Sequence, residues 1–168
     1  DLNLNKNDKF IFISKSGNTI EIKYFLNLVI KILKQKKISK FAKDFIFISE
    51  NKNNYLRKFA KKNSILCFDH DPNIGGRFSI FSITSLIPLI SIGYSLPKIL
   101  KSFLKAKKLF EKSHTKIMKN ISKTISYEKN FNLNILVGLT YHDKMSSINE
   151  WYRQIFAESL GKNKNAIN

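Results

Sequence analysis

Cysteine is almost missing from this chain. Cys67 is the single one in 168 residues, so no intrachain disulfide can form, and the composition fits a reducing, cytoplasmic setting. One thiol and three scattered histidines (His70, His114, His142) offer no recognised metal-ligand spacing, so no metal is expected. Acidic residues are few, 12 against 30 basic ones, and the net charge is +18. Such a balance ordinarily points to nucleic acid or an anionic membrane. Arginine, however, is scarce: only Arg57, Arg77 and Arg153 among the 30. Lys, Asn and Ile share AT-rich codons, so drift in base composition accounts for a solvated lysine surface. The arginine clusters and aromatic strand faces that read nucleic acid are lacking, and no nucleic-acid partner is expected. Residues 78–97 carry no charge and are long enough to span a bilayer. They also hold five serines, Thr84, Pro88 and Gly93, and read instead as a buried helix of a soluble domain, not a membrane span. There is no signal pattern at Asp1-Leu2-Asn3, no repeat of solenoid period and no low-complexity linker.

At 43% apolar and 25% charged the composition is ordinary for a globular domain. KFIFIS at 9–14 reads as a short buried strand closed by a Ser/Gly/Asn cluster. Residues 18–34 place Ile22, Phe25, Leu26, Val29, Ile30 and Leu33 on one helical face. The theme repeats: a strand at 44–48, a lysine-rich helix at 52–62, a strand at 64–68. Alternating strands and helices predict right-handed βαβ units and a parallel sheet covered on both faces, an α/β/α three-layer sandwich. After residue 77 the pattern is mainly helical, at 78–92, 97–112 and 115–127. NILVGL at 134–139 reads as a fourth strand. Ser147-Ile148-Asn149-Glu150 has capping-box form and opens a helix over 147–160, ended by Gly161. A strand so close to Asp1 and a stop at Asn168 predict a fold incomplete at both ends, a piece of a longer chain.

Three constellations carry chemistry. Ser14-Lys15-Ser16-Gly17-Asn18-Thr19 sits at a strand-to-helix turn, where parallel sheets bind ligands. Hydroxyls, loop amides and a helix N-terminus there make an anion site. With one Gly and no GxxxxGK[ST] it is not a nucleotide P-loop. A plain capped turn, with Asn18 as N-cap and Glu21 at N3, explains the same letters. The second is Asp71-Pro72-Asn73-Ile74-Gly75-Gly76-Arg77-Phe78-Ser79. Paired glycines permit unusual backbone angles or close approach to a ligand, and Arg77 can stabilise an anionic intermediate from its fork of donors. A loop glycine pair beside a surface arginine is the plainer alternative. The third is the helix carrying Gln154 and Glu158, four apart and so on one face. Glu158 falls in the last turn, where the helix dipole opposes a negative charge, a setting for a general base. A solvated surface glutamate is the alternative.

Together and in this order, the three resemble the phosphoglucose isomerase family, built from two sugar isomerase (SIS) domains. FIFISKSGNTIE is similar to the family's phosphate loop, S-K-[ST]-x-x-T-x-E. DPNIGGRFSIFSITSLIP resembles its signature around G-G-R-[FY]-S, and EWYRQIFAESLGK resembles W-x-x-Q-x-x-x-E-S-x-G-K. The likeness extends over essentially the whole chain, with 1–146 as most of a first SIS domain and 147–168 leading into a second. It implies reversible isomerisation of glucose 6-phosphate and fructose 6-phosphate through a cis-enediol(ate), without metal or cofactor, in a homodimeric parent. Ser14, Lys15, Ser16 and Thr19 would hold the phosphate. Arg77 would stabilise the intermediate, Glu158 would carry the proton, Gln154 would position substrate, and Gly75 and Gly76 would let the backbone come close. The family usually has Gly where Ser85 stands. Its upstream Gly-Ser loop would precede Asp1, and its ring-opening histidine and late Gln and Lys would follow Asn168. His70, His114 and His142 match none of these and are expected to be surface or loop histidines. The piece is expected to be inactive alone. A sugar-phosphate-binding regulatory module would keep SKSGNT but has no use for GGRFS or for Gln154 with Glu158.

Overall fold

A computed structural model describes residues 4, 7–38, 41–132, 135 and 137–160. They divide into two compact units, 1–92 and 93–168. In the first, β1 (Phe10–Ile13), β2 (Phe45–Glu50) and β3 (Leu66–His70) form a parallel sheet in the order β1-β2-β3. The register pairs Phe12 with Phe47 and Phe47 with Cys67. Helices α1 (Ile20–Gln35) and α2 (Tyr55–Asn63) make the crossovers. Right-handed crossovers that run in the same direction along the sheet bring both helices to one face. There Leu26, Val29 and Leu33 of α1 and Leu56 and Ala60 of α2 close over Phe12, Phe45 and Phe47. Those phenylalanines touch edge-on or offset at 5.7–6.3 Å, the geometry aromatic quadrupoles favour. Phe25, assigned to the buried stripe of α1 by its spacing, lies at the rim and is half exposed. On the second face Leu66 and Phe68 stay 55% and 37% exposed. The expected parallel α/β architecture forms, with its helices on the phenylalanine face.

The uncharged stretch departs from expectation. It is not one buried helix but a 3₁₀ turn (Gly76–Phe81), a short α3 (Ile83–Ser91) with no buried residue, and the start of α4. Ser82 causes the break: it is extended, and its hydroxyl caps α3 by accepting from the Thr84 amide at 3.3 Å. In the second unit the helices expected at 97–112 and 115–127 are one, α4 (Leu96–Phe131). Pro97 suits its first turn, no Gly or Pro follows until Gly138, and Asn132 ends it in the left-handed region. Among the described residues of 134–139 no strand is formed. Ile135, Val137, Gly138 and Leu139 lie outside any ladder, 69–73% exposed at the three large residues, and a strand without a neighbour has nothing to satisfy its backbone; Asn134 and Leu136 lie outside the described residues. α5 (Ser146–Leu160) opens at Ser146 rather than Ser147, the Ser146 hydroxyl donating to the Asp143 carbonyl at 2.8 Å. Gly161, its expected stop, is outside the described residues. No helix among the described residues is long and apolar enough to cross a membrane.

Phe47 is fully buried at the centre of the sheet. Phe47→Ala is expected to lower unfolding free energy by about 3–5 kcal/mol in urea titration, whereas Phe25→Ala, at the rim, costs under about 1 kcal/mol.

Candidate active site

The strands of a parallel sheet finish at one edge, and the turn 14–19 lies there. The Ser14 amide donates to the Ile48 carbonyl at 3.0 Å and so extends the ladder by one residue. The Ser14 hydroxyl is buried, 2.7 Å from that of Thr19, and accepts the Gly17 amide at 3.1 Å. Ser16 accepts the Asn18 amide at 3.2 Å. Gly17 has φ +64°, a left-handed conformation, and a Cβ there would lie 2.2 Å from Asn54 Oδ1. The turn is tied to α2 as well as α1: the Leu56 amide donates to the Gly17 carbonyl, and the Tyr55 amide to Asn18 Oδ1 at 3.0 Å. Asn18 therefore gives its oxygen to the first amide of α2, whose N-cap is Asn54, and not to α1. Thr19 occupies the N-cap position of α1 without a side-chain cap bond, so the plain Asn18-capped turn does not form.

Lys15 joins this turn to the Gly-Gly-Arg corner. Its ammonium donates to the carbonyls of Pro72 at 2.8 Å and Ile74 at 3.0 Å, and stands 3.6 Å from Glu50 Oε1. The corner is shaped by Asp71, whose carboxylate accepts the Asn73 amide and whose carbonyl accepts the Ile74 amide. Gly75 has an ordinary φ of −64°, and neither corner glycine is left-handed. The unusual backbone angle sits at Gly17 instead. Gly76 has nothing within 4 Å of where a Cβ would stand, which leaves its backbone open to close approach. The Arg77 guanidinium lies 5.0 Å over the Phe78 ring.

Arg57 serves the scaffold. It donates to the carbonyls of Ser49 at 2.7 Å and Phe68 at 3.0 Å and pairs with Asp69, pinning the ends of β2 and β3. Glu50 went unnoticed in the sequence because its role depends on strand register. The Lys52 ammonium, bonded to it at 2.7 Å, holds the Glu50 carboxyl below its ordinary 4.5; burial opposes this, and Lys15 adds to it. Burial pushes the Cys67 thiol up, so it is no poised nucleophile. Contrary to expectation, His70 is buried. It ends β3 opposite Glu50, with Nδ1 2.7 Å from the Asp71 carbonyl and Nε2 without a partner among the described residues. His114 and His142 are exposed, the latter accepting the Lys144 amide.

In the second unit, the Gln154 amide donates to Glu158 Oε1 at 2.8 Å. The pair lines an open groove along α5 with Glu150 and Arg153. A carboxylate oriented by a neighbouring amide is fit to take up and return a proton. Ser14, Lys15, Ser16, Thr19, Gly75, Gly76 and Arg77 belong to the first unit, Gln154 and Glu158 to the second. Among the described residues no group of three or more His, Cys, Asp or Glu could hold a metal.

The family model of phosphoglucose isomerase matches residues 2–167. The chain is 38% identical to a glucose-6-phosphate isomerase of Campylobacter jejuni over 91% of its own length, and 34% identical to that of Methanocaldococcus jannaschii over 96%. It spans 37% and 40% of those curated relatives. Among solved structures, a hypothetical protein from Thermus thermophilus superposes with a TM-score of 0.79 and 26% identity, over 98% of this chain and 40% of that one.

Two substitutions separate the turn from the corner. Gly17→Ala is expected to destabilise by more than about 1–2 kcal/mol, and Gly76→Ala by less than about 0.5 kcal/mol, both read from denaturant midpoints. Because the Glu50 carboxyl is depressed in the fold, its contribution is present above 4.5 and lost as pH falls through the lower folded value. Acid titration of stability should therefore show a component below 4.5 that Glu50→Gln removes.

Proposed function

The chain belongs to the phosphoglucose isomerase family, and from that membership we propose that its parent interconverts glucose 6-phosphate and fructose 6-phosphate, the chain supplying the phosphate turn, the electrophilic corner and the proton-transfer helix. The observation that carries this reading is the bridging of turn 14–19 to residues 72 and 74 by one ammonium. It makes two motifs far apart in sequence into one polar edge.

The chemistry follows from the residue types. The substrate phosphate takes no part in bond making, so its binding by Ser14, Lys15, Ser16 and Thr19 supplies orientation. Glu158, steadied by Gln154, removes the proton from C2 of the open-chain aldose. The electron pair forms the C1–C2 double bond and the carbonyl oxygen becomes negative. Arg77 faces that oxygen with fixed positive charge, and Gly75 and Gly76 admit the sugar backbone. The O2 hydroxyl proton passes to O1, Glu158 returns its proton to C1, and the ketose carbonyl forms at C2. In this reading residues 1–146 belong to the first SIS domain and 147–168 lead into the second. The parent acts as a cytoplasmic homodimer, and this chain by itself does not turn over substrate.

Within the intact protein, Glu158→Gln is expected to lower turnover by about 10²–10⁴-fold in a coupled assay while sugar-phosphate binding persists in calorimetry. Normal turnover would refute the role given to Glu158. The isolated chain should show no isomerisation above background; measurable activity would refute its incompleteness.

A further inference from the structure

Glu50 has no part in the proposed reaction, yet its surroundings join the two motifs of the first unit. It is the last residue of β2 and 8% exposed. Its amide donates to the Lys15 carbonyl at 3.0 Å, and its own carbonyl accepts Asn54 Nδ2 at 3.1 Å and Arg57 Nε at 3.3 Å. The backbone is thus fixed from both sides, and the carboxylate has a set origin. Its two oxygens serve different lysines. Oε2 takes Lys52 at 2.7 Å, while Oε1 stands 3.6 Å from Lys15. Lys15 in turn spends hydrogens on the carbonyls of Pro72 and Ile74. A lysine is a point charge on a flexible stem, and an opposite charge at the edge of the fold gives that stem one preferred position.

We propose that Glu50 is a positioning residue: its carboxylate fixes Lys15 against the carbonyls of residues 72 and 74 and so ties the phosphate turn to the Gly75-Gly76-Arg77 corner. The functional part of this rests on the reading of turn 14–19 as a phosphate site. Lys15 is then a shared cation. A phosphate on the turn competes with Glu50 and the two carbonyls for the same ammonium, so occupancy of the turn is felt at the corner.

The test uses nuclear magnetic resonance on the full chain. Without ligand, amide order parameters at Ile74, Gly75 and Gly76 should be about 0.85, falling below about 0.6 in Glu50→Gln and in Lys15→Met. Strand amides of Phe12 and Phe47 should keep their values. Adding Glu50→Gln to Lys15→Met should change nothing further, because Glu50 acts through Lys15. An unchanged corner in Glu50→Gln, or a further fall in the double variant, overturns the proposal. If Glu50→Gln does not fold, a corner still rigid in Lys15→Met does the same. In a second arm, inorganic phosphate should move the Gly17 and Gly75 resonances along one curve in the unaltered chain, and Gly17 alone in Lys15→Met. A Gly75 response that survives Lys15→Met overturns the coupling. Absence of any Gly17 response contradicts the phosphate reading instead, and the order parameters alone then decide the role of Glu50.

Discussion

β2 hydrogen-bonds to β1 on one side and β3 on the other, both parallel, and this register determines which residues can meet at the carboxyl edge. Ile13 pairs with Ile48, and Glu50 with His70. The residues just past β1, at the end of β2 and just past β3 are therefore neighbours, although more than fifty positions separate the first from the last. The register is held from the phenylalanine face, where a slip by one residue would turn Phe45 and Phe47 away from α1 and α2. It is held at the edge itself by Arg57, which takes carbonyls from both β2 and β3. Without that alignment Lys15 would have no carbonyls to reach.

The edge is built so that polar groups satisfy one another before any ligand arrives. Ser14 meets Thr19, Asn54 serves the Arg57 amide and the Glu50 carbonyl, and Asn18 serves α2. Buried polar groups that are already paired keep their directions, and fixed directions are what electrostatic stabilisation of a developing charge requires. His70 differs, with a buried Nε2 that has no hydrogen-bond partner among the described residues.

Much of the first unit was legible in the letters, because its signals are local. The apolar runs of β1, β2 and β3 are short and flanked by polar turns, and the period of α1 is strong. Boundaries shifted by one to three residues, the most at the start of α2, where Asn54 provides the cap. What could not be read depends on partners distant in sequence. Asn18 looks like a cap for the helix that follows it, but its oxygen is claimed by α2. Glu50 looks like an ordinary strand end until β3 and Lys15 are set beside it. The joining of two expected helices into α4 was legible in principle, since Ser113 and His114 contain no breaker. Of the strand expected at 134–139, the described residues 135 and 137–139 have apolar letters but no strand beside them among the described residues. Of the candidate site, the motif positions came from the sequence, and the clasp between them came from the structure.

The central proposal, made for the intact protein, is that the turn after β1, the Gly-Gly-Arg corner and the carboxylate of α5 serve one phosphorylated sugar. The most direct measurement is a crystal structure of the intact protein holding a sugar phosphate whose C1 carboxylate mimics the enediolate. The account predicts the phosphate on Ser14, Lys15, Ser16 and Thr19, with the carboxylate end contacted by both Arg77 and Glu158. A ligand bound elsewhere, or Lys15, Arg77 and Glu158 facing unconnected regions around it, would contradict the account.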